Sequence, residues 1–144
     1  MTLHIRTAPE EQDLEVIHRF LSTESTWALG IPRQRVEAAV RHSLNFGGFV
    51  NGKQVAYARV VTDRATMAYL CDVFVLPAYR GHGHSRRLME AVMAHPHLQG
   101  LRRFMLATST ARGLYEKFGF GPPLKPESLM ERLALNPYLP ATAD

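Results

Sequence analysis

The 144-residue chain has a single cysteine, Cys71, and a single tryptophan, Trp27. One cysteine excludes an intrachain disulfide and a cysteine-rich zinc cage, so a reducing, cytoplasmic setting is the expectation. No apolar run approaches the roughly 18 residues that a membrane helix needs, so no membrane partner is expected. The start, MTLHIRTAPEE, lacks the charged-then-apolar pattern of a secretory signal. Repeats, low-complexity tracts and Ser/Gly linkers are missing too, and one domain over residues 1–144 is expected. Lysine is scarce: 14 of the 17 basic residues are arginine, against 13 acids, for a formal net charge of +4. Guanidinium groups favour phosphate or carboxylate partners. A basic stripe with interleaved aromatics is absent, which argues against nucleic acid as a partner. Acids are missing altogether from residues 80–87, which hold Arg80, His82, His84, Arg86 and Arg87.

What is present reads as a mixed α/β domain. Residues 2–7 alternate as a strand, and Pro9 with two glutamates opens a helix over about 9–22, buried through Leu14, Ile17 and Leu21. A loop over 23–32 carries Trp27, and a second helix covers about 33–43. Strands over about 45–50, 53–62 and 66–76 follow, the first two joined by the hairpin signal Asn51-Gly52. A helix over about 85–94, a strand over 102–107 and a helix over 109–118 complete the order βααβββαβα. A last strand near 128–133 is weakly signalled. The expected fold class is α/β (α+β), a mixed and mostly antiparallel sheet flanked by helices.

The junction after the third meander strand is the most informative stretch. A buried strand stops at Pro77, passes through Arg80-Gly81-His82-Gly83-His84-Ser85 and enters a helix. Glycines let the backbone turn sharply, and a helix start presents unpaired N–H groups with partial positive charge, together an anion cradle. Arg86 and Arg87 in the first turn oppose the helix dipole unless an anion binds there. The plainer reading is that Ser85 caps the helix and the arginines are solvated. GxGxxG and Gly-Lys-Ser/Thr patterns are both absent, which argues against a dinucleotide fold and ATP hydrolysis.

The stretch DVFVLPAYRGHGHSRRLMEAV, followed by ARGLYEKFGF, resembles the GNAT superfamily of N-acetyltransferases. The family's loop, Arg/Gln-x-x-Gly-x-Gly/Ala, is matched by Arg80, Gly83 and Ser85, the serine being a departure. Its later signature is matched by Ala111, Leu114, Tyr115, Gly119 and Phe120, with Thr108 where an asparagine is frequent.

The resemblance implies acetyl-CoA as co-substrate, no metal, and a small-molecule or peptide amine as acceptor. It leaves room for a homodimer. It places the pyrophosphate on N–H groups of Gly81, His82, Gly83, His84, Ser85 and Arg86, and the pantetheine arm along Val73, Phe74 and Val75, one of whose N–H groups would hold the oxyanion. Thr108 would border the same cofactor. Tyr115 would be the acid toward the leaving thiolate. Its phenol, pKa ~10 against ~8.5 for a thiol, is a mismatch of roughly 2 kcal/mol, tolerable for a hydrogen bond to sulfur.

A lysine-like amine of pKa ~10.4 is neutral in about 1 in 2,500 molecules at pH 7. Asp72, ionisable in an apolar strand, is the candidate that takes its proton; alternatively it pairs with Arg59. Strict alternation turns Tyr69 and Cys71 to the face opposite Asp72, unless a bulge intervenes. Trp27, Arg59, Tyr69 and Asp72 are the acceptor-side candidates. His82-x-His84 and His95-x-His97 lack acids or cysteines nearby, so no metal is expected. The competing functional class is a non-catalytic acyl-CoA-binding module on the same scaffold.

Overall fold

A computed structural model describes residues 1–140. Their strands and α-helices follow as β1 (His4–Arg6), α1 (Leu14–Thr23), α2 (Arg33–Arg41), β2 (Leu44–Val50), β3 (Lys53–Thr62), β4 (Met67–Val75), α3 (His84–Ala94), β5 (Arg103–Leu106) and α4 (Arg112–Glu116). The order is the one the periodicities predict. The five strands lie side by side as β1-β2-β3-β4-β5, antiparallel except for the parallel pair β4–β5.

Local chemistry sets where the elements end. The Asp13 carboxylate accepts from the Glu15 and Val16 N–H groups, so α1 begins at Leu14, and Pro9–Glu11 form a separate 3₁₀ turn rather than its first turn. Thr108 Oγ1 accepts from the Ala111 N–H at 3.0 Å, which holds residues 108–111 in a turn and shortens α4 relative to the expected 109–118. The expected strand near 128–133 is not formed. Residues 129–135 carry no regular structure, and Pro122, Pro123, Pro126 and Pro137 around them remove ladder donors.

Two cores form because β3 and β4 are buried on both faces. On one face α3 packs Leu88, Met89 and Val92 against Val55, Val60 and Leu70. On the other, α1 and α2 pack Ile17, Phe20, Val36 and Val40 against Tyr57 and Phe74, with the Phe20 and Phe74 rings stacked at 4.1 Å. No helix among the described residues is long and apolar enough to cross a membrane.

Candidate active site

The sheet opens where the sequence motifs converge. β4 and β5 pair from Met67↔Arg103 to Leu70↔Leu106, and the pairing stops there. Cys71–Val75 therefore run on with no neighbour on that side. The Leu76 N–H donates to Val55 O of β3 at 2.8 Å. Strand alternation then turns the N–H groups of Val75 and Val73 the other way, into the gap. Arg80 Nε donates to Val75 O at 2.9 Å from that open side, which ties the loop to the strand.

A β-bulge sits beside the gap. Tyr57 faces Phe74 and Arg59 faces Cys71, so Asp72 and Val73 together oppose Ala58. Asp72 takes the left-handed conformation, φ 52°. The extra residue resets the alternation. Asp72 consequently lies on the α1/α2 face with Arg59, Cys71 and Tyr69, which corrects the strict-alternation expectation that separated it from the last two. Arg59 Nε donates to Asp72 Oδ2 at 2.8 Å, and Trp27 Nε1 donates to Asp72 Oδ1 at 2.8 Å. Arg59 also donates from Nη1 to Ser43 Oγ at 3.1 Å. Burial, the largest single influence, works against the Arg59 charge, but the charge and hydrogen bond of Asp72 together with Cys71 and Tyr57 outweigh it and raise the guanidinium's pKa. Burial pushes the Cys71 thiol up to about 11, so it is an inert neighbour.

Behind this cluster a cavity of about 260 Å³ runs between α1, α2 and the sheet. Ile17, Leu21, Ile31 and Val36 form its apolar walls, Arg59 and Asp72 one end, and Arg35 and Tyr138 also border it. Arg35 and Tyr138 had no signal in the sequence: neither belongs to a motif, and only the chain path brings them here.

The loop and α3 lie on the far end of β4. Gly81 (φ 82°) and Gly83 (φ 78°) are left-handed, a conformation that any side chain would strain. Gly83 is the N-cap of α3, with no side chain capping, so the Ser85 cap of the plainer reading is not the one formed. The first intrahelical bond is Arg87 N–H to Gly83 O, which leaves the His84, Ser85 and Arg86 N–H groups facing outward without a helical acceptor. The His84 ring itself turns inward and is 4% exposed, with Nε2 unpartnered among the described residues. Burial first, then His82 and the chain's amino group, lower its pKa. Arg86 pairs with Glu90 on the exposed side of α3.

Tyr115 comes from α4 into the core shared by α3 and Val73, and is 8% exposed. Gly119 (φ 90°) turns the chain back so that Phe120 packs edge-on against both Phe104 and Tyr115. Burial alone raises the phenol; no neighbouring charge or hydrogen bond contributes.

The geometry thus gathers Asp72, Arg59, Trp27 and Tyr69 on one face of the splayed strand. The glycine turn lies at its end, and Tyr115 lies on the opposite face.

Comparison with known proteins supplies the context. Residues 14–120 match the family model described as Acetyltransferase (GNAT) family. A Gibberella zeae protein proposed to be an acetyltransferase is 31% identical over 136 residues, covering 78% of this chain and 75% of that one. A crystal structure from Xanthomonas campestris pv. campestris, of a protein proposed to be a GNAT acetyltransferase, superposes with a TM-score of 0.94 at 58% identity, over 96% of this chain and 97% of that one. The structure of glucosamine-6-phosphate N-acetyltransferase from Arabidopsis thaliana shares the fold, with a TM-score of 0.67 at 17% identity over 94% and 100% of the two chains.

Proposed function

Because the chain belongs to the GNAT acetyltransferase family, we propose that it moves an acetyl group from acetyl-CoA to a primary amine by direct attack. The observation that carries this reading is the parting of β4 from β5 after Leu70↔Leu106, with an uncapped helix N-terminus at the end of the gap. Bound acetyl-CoA would supply an activated thioester; everything else falls to the chain. The free N–H groups of His84, Ser85 and Arg86 fit a diphosphate, since they converge at the positive end of α3 and no side chain competes for them. Gly81, His82 and Gly83 shape the turn, and Arg80 braces it against Val75. The N–H groups of Val73 and Val75 are offered to an extended amide-bearing arm and to the developing oxyanion, with Phe74 anchoring the strand between them through Phe20. Thr108 positions α4 through Ala111.

Tyr115 is proposed as the acid that protonates the leaving thiolate. Its buried, raised phenol is protonated at neutral pH, as the role requires. Asp72 is proposed to draw the acceptor ammonium and take its proton, directly or through water. Arg59 and Trp27 fix both of its oxygens in place and leave a lone pair on each. Tyr69, Trp27 and Arg59 border the acceptor in this reading.

The test is free-thiol release from acetyl-CoA with a panel of amines, amino acids, polyamines and peptides. Tyr115→Phe should lower kcat by about 10²-fold or more with little change in acetyl-CoA affinity. Thiol release from no amine, with acetyl-CoA bound tightly, would instead establish the acyl-CoA-binding module.

A further inference from the structure

At about 260 Å³, the cavity between α1, α2 and the sheet is a little smaller than the roughly 300–1,000 Å³ of common ligand pockets, so it suits a compact molecule. Its walls are hydrocarbon: Ile17 and Leu21 from α1, Ile31 from the loop between the helices, and Val36 from α2. Ala38 and Ala39, whose side chains end at Cβ, leave space that larger residues would fill. Among the described residues no serine, threonine, asparagine or glutamine lines it. The Tyr57 hydroxyl, which does, is already committed to Asn45. A polyhydroxylated acceptor such as an amino sugar would give up water at its hydroxyls and find few partners in return.

The charges are more selective still. Arg35, Arg59 and Asp72 are the charged residues on the lining. Arg59 and Asp72 neutralise each other at 2.8 Å, so Arg35 supplies the net charge. It has no ion-pair partner among the described residues. Glu37, the one acid of α2, is taken by Arg33 at 3.3 Å. Arg35 also stands in the first turn of α2, where the helix dipole opposes a cation and no acid offsets it. An anionic group on the ligand would relieve that opposition. A second ammonium group would meet only like charge, because the single carboxylate, Asp72, already faces the reacting amine.

We propose that the acceptor is a small apolar amino acid, a compact amine that carries both a hydrocarbon body and a carboxylate. Its ammonium group faces Asp72, its hydrocarbon lies against Ile17, Leu21, Ile31 and Val36, and its carboxylate is held by Arg35. A guanidinium offers a carboxylate two parallel N–H donors, which fixes orientation as well as charge. The inference rests on the acetyl-transfer reading and deepens it: Arg35 selects the amine on which Asp72 and Tyr115 act. Polyamines and amino sugars are then the poor acceptors.

Two matched pairs test it, each differing only in the carboxylate: L-leucine against 3-methylbutylamine, and 6-aminohexanoate against pentylamine. Each is measured by free-thiol release with acetyl-CoA and by calorimetric titration with and without coenzyme A. In at least one pair the carboxylate-bearing member should be favoured by about tenfold or more in Kd and in kcat/KM, the difference lying in KM. Arg35→Gln should bring that ratio close to one, Arg35→Lys should keep part of it, and Arg35→Glu should invert it. Arg35 is exposed, so the far-UV CD spectrum should not change. Equal handling of both members, binding of neither pair, a preference for spermidine, or a carboxylate preference that Arg35→Gln leaves intact would overturn the proposal; thiol release with any amine would still uphold acetyl transfer. Carboxylate preference in the titrations with no thiol release from any amine would do the reverse, supporting the ligand chemistry of the cavity and overturning acetyl transfer alone.

Discussion

Asp72 concentrates the tension between structure and chemistry in this molecule. Its side chain is 10% exposed, its Arg59 partner 18%, and each carboxylate oxygen already accepts a hydrogen bond. Removing one member of such a pair leaves the other charge buried and uncompensated, at a cost of about 3–5 kcal/mol. Asp72→Asn should therefore destabilise the protein by an amount of that order in urea unfolding. It should also change the fluorescence of Trp27, the sole tryptophan, whose Nε1 donates to Asp72. An unshifted emission spectrum would show that the indole does not depend on this carboxylate. The residue type was legible in the sequence, and so was Arg59 as its alternative partner. Trp27 as the second donor was not, because it lies 45 residues away in a loop without periodicity.

Between residues and fold stand two elements whose geometry is set by single positions. The bulge in β4 exists because Asp72 occupies the left-handed region, and it moves that carboxylate to the face where Arg59 stands. A period of two has no means of announcing such an insertion, which is why alternation placed Asp72 opposite Cys71. The start of α3 is the reverse case: the glycines were readable, and only the cap was misplaced, at Ser85 instead of Gly83. Gly83→Glu should abolish acetyl-CoA binding in a calorimetric titration. It adds strain at φ 78° and sets a negative charge beside the N–H groups proposed to hold phosphate. Unchanged affinity in the folded variant would displace the proposed site.

The two cores cannot fail separately, because β3 and β4 supply side chains to both. Heat unfolding should be a single transition, with Trp27 fluorescence on the α1/α2 face and far-UV CD giving the same midpoint. Leu88→Ala, on the other face and fully buried, should cost about 2–5 kcal/mol and lower both signals together. Separate midpoints would mean that the α1–α2 layer melts alone.

Sequence by itself determined the order of elements, the mostly antiparallel sheet, the glycine turn and the tyrosine after it, because each depends on local propensity or on spacing within one element. Tertiary structure alone decided the gap between β4 and β5, the clamp of Arg59 and Trp27 on Asp72, the cavity beside Arg35, and the irregular segment over residues 129–135 in place of a last strand. Those features arise where segments distant in sequence meet, and there the free energy depends on partners that no local pattern encodes.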